Sequence, residues 1–141
     1  MEYIRELLLL GFVTFVVQYV WEKLHISLYK DYEKLGTGWR LTLMATLGDV
    51  MYVMLAVLFV SLAKQDMRWL YDPTVGDYGA LALLGCGIAL FVEYKALALR
   101  RWVYTARMPR ILGVGISPIL QMTLLLPLSL FLVHLLGTLL I

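Results

Sequence analysis

Acidic, imidazole and amide side chains stand in this chain where hydrocarbon would be expected. Glu22, His25, Asp49 and Glu93 lie inside or at the end of apolar runs, and Gln18 and Gln121 accompany them. A charged group at the centre of a membrane costs about 2.5 to 3.5 kcal/mol on insertion scales, so each must be paired, protonated, hydrated or used. Several acids at one level suit proton transfer: a carboxyl group in a low dielectric can hold a proton, while a second carboxylate near a cation can accept one. Glu93 and Asp49 are the expected acid and base, with Glu22 and His25 assisting.

Helical spacing draws these groups together. Gly11, Thr14, Gln18, Glu22 and His25 share one helix face; Ala45, Asp49, Tyr52 and Ala56 share another. Ala82, Cys86, Ala89, Glu93, Ala96 and Arg100 form a third stripe, and Ser117 with Gln121 a fourth. Small side chains mark packing faces in membranes, so the polar groups among them are expected to point into a bundle. Depth agrees, since Asp49 lies about 13 Å of helix rise past Arg40 and Glu93 about 10 Å before Arg100. Lys95 falls about 200° around the helix from Glu93 and is free to snorkel towards head groups.

The neighbours suggest a substrate. Trp21, Tyr52, Tyr94 and Trp102 are expected to line an apolar pocket beside the acids, where ring faces stabilise a carbocation. Arg100 and Arg101 open an arginine-rich strip over residues 100–110, suited to bidentate contacts with an anionic lipid head group. Gln18 and Gln121 complete the expected substrate-binding set. This composition of groups favours a membrane enzyme that processes a lipid or isoprenoid by proton transfer, of the isomerase, cyclase or transferase kind. Its partners would be membrane lipids and a lipophilic small molecule, with a homo-oligomer open.

Two other uses of the same residues remain open. A membrane carboxylate can alternate between a proton and a cation, as in a small transporter working as an oligomer. Alternatively, polar contacts worth about 0.6 kcal/mol each can simply hold helices together in a non-catalytic subunit of a larger complex. Glu22 and His25 have the spacing of a carboxylate-bridged metal site, but such sites need a second Glu-x-x-His pair and the chain has one. No metal set is assigned, and the sequence names no cofactor.

The elements that must position these residues follow from composition. Of 141 residues, 62% are hydrophobic and 16% charged, whereas a soluble domain carries about 25% charged residues. An ordinary water-soluble fold is excluded. Twelve basic residues against ten acidic ones give a net charge of +2, too even for a nucleic-acid binder. The single cysteine, Cys86, rules out an internal disulfide, a CxxC pair and a thiolate zinc site.

Four apolar runs reach the roughly 20 residues that a membrane requires, near 4–25, 41–63, 78–99 and 118–140. The expected fold is an all-α integral membrane four-helix bundle, one domain over residues 1–141. As a single helix, the tract 111–141 would be about 46 Å long, too much for one span. A break near Pro118 is expected, preceded by an interfacial or re-entrant stretch containing Gly113 and Gly115, with a kink at Pro127.

Charge sets the orientation. Lys23, Lys30, Lys34, Arg40, Lys95, Arg100, Arg101, Arg107 and Arg110 fall on the side of the first and third connections, against Arg5, Lys64 and Arg68 on the other. The positive-inside rule then puts those connections in the cytoplasm and both termini outside, in a cell inner or plasma membrane. Tyr3, Tyr29, Tyr32, Trp39, Trp69, Tyr71, Tyr78, Trp102 and Tyr104 gather near span ends, as aromatic belts do. The first run lacks a basic leader and a small-residue cleavage site, so it reads as a retained span rather than a signal peptide.

Overall fold

The computed structural model describes residues 2–30 and 38–139. Tyr32 and Lys34, counted above among the belt and the basic side, lie outside the described residues. Four long helices dominate: α1 (Glu2–His25), α2 (Gly38–Lys64), α3 (Val75–Ala98) and α4 (Ile116–Leu139). Each is long and apolar enough to cross a membrane. Their outward faces carry Leu8, Phe12, Leu24, Met44, Leu62, Leu83 and Phe91, all exposed. Helices apolar all round fit lipid surroundings, because there is no water to reward a polar face.

Local chemistry sets the helix ends. Thr74 and Asp77 form a reciprocal capping box: the Thr74 backbone N–H donates to Asp77 Oδ2 at 2.9 Å, and the Asp77 N–H donates to Thr74 Oγ1 at 3.3 Å. Helix α3 therefore starts at Val75, three residues before the apolar run that begins near residue 78. Lys64 Nζ donates to Asp77 Oδ1 at 2.6 Å, tying the end of α2 to the start of α3. At the other end of α3, Arg100 takes a left-handed conformation, φ 52°. The Arg101 N–H then reaches the Ala96 carbonyl at 2.9 Å and the Arg100 N–H that of Leu97 at 3.1 Å, which is the Schellman pattern usually built on glycine.

A short hairpin precedes α4. Strand β1 (Arg110–Ile111) pairs antiparallel with β2 (Val114–Gly115) across Leu112 and Gly113, both at positive φ, as tight two-residue turns demand. The helix begins at Ile116, so Pro118 occupies its first turn, where backbone N–H groups have no intrahelical acceptor to lose. Pro127 lies inside α4, which continues helical to Leu139.

The connections after α1 and α3 meet. Lys30 donates its N–H to the Val103 carbonyl and Thr105 to that of Leu28, both at 2.8 Å, around a Tyr29 and Tyr104 bridge. This is the loop end of the bundle; the α2–α3 connection marks the opposite end. α1 packs against α2 and α4, α3 runs closely along α4, and α2 and α3 meet most loosely of the four adjacent pairs. Leu10, Val53, Val57, Leu81, Met122, Leu126 and Leu130 fill the core. At Gly85 a Cβ would stand 2.2 Å from the Met122 carbonyl oxygen, so the α3 backbone lies directly against α4.

Candidate functional site

The face predicted for α1 is the face that packs. Thr14, Gln18, Glu22 and His25 are all buried. Opposite them, α4 supplies Gln121, itself 2% exposed. Its amide nitrogen is within hydrogen-bond distance of three oxygens: Glu22 Oε1 at 2.8 Å, Gln18 Oε1 at 2.9 Å and Asp49 Oδ2 at 2.9 Å. Groups from α1, α2 and α4 thus converge on one nitrogen. His25 extends the network, with Nε2 3.2 Å from Glu22 Oε1 and Nδ1 2.8 Å from Ser117 Oγ. A neutral ring with its hydrogen on Nε2 donates to Glu22 and accepts the Ser117 hydroxyl on Nδ1.

A second group forms on α3. Glu93 is buried, and its Oε2 accepts the Trp102 indole N–H at 3.2 Å and the Tyr104 hydroxyl. Both donors come from the connection after α3, so one carboxylate fixes that loop. Burial, reinforced by the Glu93 hydrogen bond, holds the Tyr104 phenol above the ordinary tyrosine range. Tyr29 is likewise held high, by burial and then by the nearby Glu93 charge. Tyr29 packs against His25 at 5.5 Å, Trp102 at 6.1 Å and Tyr104 at 5.6 Å between ring centroids, an aromatic bridge between the two polar groups.

Both groups line one cavity of about 730 Å³ at the loop end. Glu22, His25, Asp49, Glu93 and Gln121 contribute polar walls, as do Tyr29 and Trp102. Met44, Gly48, Tyr52, Ile88, Ala89 and Val92 form the wall at the α2–α3 seam, and Lys30, Arg100 and Arg101 line it from the exposed loop side. The size is that of a small-molecule pocket, generally 300–1,000 Å³. Lys30, Arg100 and Arg101 have no ion-pair partner among the described residues.

Several expectations need correction. Asp49 reaches inward to Gln121, but from the edge of the buried face of α2, which is made by Thr42, Thr46, Val53, Ala56, Val57, Val60 and Ser61. Ala45 is exposed, and Asp49 and Tyr52 are half-buried, so their stripe faces the α2–α3 seam instead. Arg100, expected on the inward stripe of Glu93, is exposed in the turn after α3, and the Glu93 oxygen takes Trp102 and Tyr104 instead. Tyr94 is 47% exposed, does not line the cavity, and donates its hydroxyl to the Leu112 carbonyl at 3.1 Å. Trp21 sits outside the cavity, edge-on to His25 at 6.5 Å, and Gln18 lies behind its wall on Gln121. Lys95 turns outward over the Phe91 ring, as its helix position predicts.

Tyr29 and Tyr104 were legible only as belt residues. Both sit in connections, where no helical period links them to Glu93. Among the described residues, no group of three or more His, Cys, Asp or Glu side chains is placed to hold a metal ion. Comparison with models of known families, with curated proteins and with solved structures finds no match for this chain.

Proposed function

We propose that this protein is a membrane enzyme that moves protons on an unsaturated lipid or isoprenoid held in the loop-end cavity. The observation that carries the reading is Gln121, whose amide nitrogen faces oxygens of Gln18, Glu22 and Asp49 at 2.8–2.9 Å while Glu93 lines the same cavity. An amide nitrogen brings two hydrogens to these three oxygens. A proton on the Glu22 and Asp49 pair completes the set, and that proton is the transferable one.

The chemistry balances without a cofactor. The Asp49 and Glu22 pair gives its proton to one carbon of a double bond, breaking O–H and forming C–H. Tyr52 and Trp102 face the resulting cation. Glu93, held by Trp102 and Tyr104, removes a proton from the carbon on the far side of the cationic centre, and that C–H pair re-forms the double bond one position along. Water at the exposed loop side resets both acids. The excess of basic residues at the loop end supports a cytoplasmic position for it, with both termini outside.

The test uses the full chain in bilayer discs made from a natural lipid extract, incubated in heavy water. Mass spectrometry is expected to find a lipid product carrying carbon-bound deuterium, lost in Asp49→Asn and in Glu93→Gln. Identical lipid profiles with and without the protein would contradict the reading. Proton-coupled movement of a solute across the discs, without a changed lipid, would favour transport instead.

A further inference from the structure

A second hollow of about 720 Å³ continues from the polar cavity along the seam of α2 and α3. Tyr52 and Ile88 line both, so the two share a wall. The hollow's sides are Phe59, Leu83, Leu84 and Phe91, and Gly87 leaves it deep, since a Cβ there would meet nothing within 4 Å. From Tyr52 to Lys64 the groove follows about 18 Å of α2. Its far end is closed electrically, because Lys64 is held at 2.6 Å by Asp77.

Charge is therefore asymmetric along the seam. The far end offers a neutralised pair, the middle is hydrocarbon, and the loop end offers Lys30, Arg100 and Arg101 with no ion-pair partner among the described residues. Arg100 is held at φ 52°, a conformation that disfavours side chains, in a turn from which it lines the cavity. We propose that the α2–α3 seam binds a single-chain amphiphile bearing a phosphate head, its tail lying in the groove and its head on Arg100, Arg101 and Lys30. Three cations match a doubly charged head, and arginine forks match phosphate oxygens. In this position the part of the chain nearest the head passes between Asp49 and Glu93. The inference rests on the reading above for what happens there, but the binding itself does not.

The experiment measures binding by native mass spectrometry to the full chain in neutral detergent, with hexadecyl phosphate, octyl phosphate and hexadecanol as probes. Hexadecyl phosphate is expected to bind once per chain and more tightly than either other probe. Gly87→Leu, which fills the groove, is expected to weaken hexadecyl phosphate about tenfold, the equivalent of roughly two buried methylenes. Octyl phosphate, whose tail stops short, keeps its affinity in that variant and so reports that the variant is folded. Arg100→Ala with Arg101→Ala weakens both phosphates. Equal binding of hexadecanol and hexadecyl phosphate would mean ordinary lipid only in the seam, and the proposal would fall. It would also fall if Gly87→Leu left hexadecyl phosphate as tight as before. If the binding pattern holds but no deuterium enters lipid, the seam is a lipid site and the proton-transfer reading alone is lost.

Discussion

The two seams of α3 are built on opposite terms. Towards α4, Gly85 lets backbone touch backbone at Met122, and Leu81, Ala89, Leu126 and Leu130 are buried nearby. Towards α2, the glycine two residues later meets nothing, and hollows of about 720 and 730 Å³ lie along the contact. One helix thus joins a closed seam to an open one. Packing without voids resists any guest, whereas a loosely joined pair of helices admits a chain from the bilayer without breaking a hydrogen bond. Position in the bundle, rather than residue type, thus decides what a small residue does.

The same substitution on the two sides should give the widest contrast. Gly85→Ala forces α3 from α4 and is expected to cost about 3 kcal/mol, at the upper end of ordinary overpacking. Gly87→Ala should be neutral or stabilising by up to about 1 kcal/mol, from helix propensity alone. Thermal unfolding in one detergent compares them; equal losses would abolish the distinction between the seams.

Next comes the convergence point. Gln121→Leu leaves the Glu22 and Asp49 oxygens without their shared donor, at an expected cost of about 3 kcal/mol, since each buried unsatisfied acceptor costs roughly 1–3 kcal/mol. Gln121→Asn, which keeps the amide on a shorter arm, should lie between. Unfolding transitions of the two variants measure the order.

Tyr104→Phe should cost about 2 kcal/mol, the worth of a hydrogen bond to a charged acceptor. It should also speed hydrogen exchange over residues 100–115 while leaving the α3–α4 seam protected. The ordinary phenol value is 10.0, and burial with Glu93 lifts that of folded Tyr104, so the unfolded chain loses this proton first. The contribution is complete below pH 10 and declines as pH rises towards the folded value. Tyr104→Phe should flatten that alkaline decline, and an unchanged slope would remove Tyr104 from it.

The smallest effect separates stability from binding. Arg100→Gly relieves a left-handed side chain and should gain about 1 kcal/mol, yet remove a head-group cation. Gln65→Gly, with the same backbone sign at the end of α2, should gain similarly and leave phosphate binding alone. A loss of stability in Arg100→Gly would mean that the guanidinium, rather than the turn, holds that end.

What could be read in advance depended on the kind of regularity involved. The inward face of α1 was legible because five residues from Gly11 to His25 keep helical spacing. The inward face of α2 was not. Thr42 and Thr46 bury their hydroxyls by donating to the carbonyls of Gly38 and Thr42 at 2.9 and 2.8 Å, so polarity says nothing about which side meets protein. Alanine misled in the same helix, since Ala45 faces outward and Ala56 inward. The start of α3 carries a readable signature, Thr74-x-x-Asp77, that hydropathy alone overlooks. The partners of Glu93 had no periodic trace, because Trp102 and Tyr104 lie beyond a helix end whose turn rests on an arginine in place of glycine.

The most direct measurement is a high-resolution cryo-electron microscopy map of the full chain in bilayer discs supplied with hexadecyl phosphate. One elongated density is expected in the α2–α3 seam, its head beside Arg100 and Arg101 and the part of its chain nearest the head between Asp49 and Glu93, with none between α3 and α4. A closed α2–α3 seam, or an ordered lipid elsewhere on the bundle with Asp49 and Glu93 facing bare acyl chains, would contradict it.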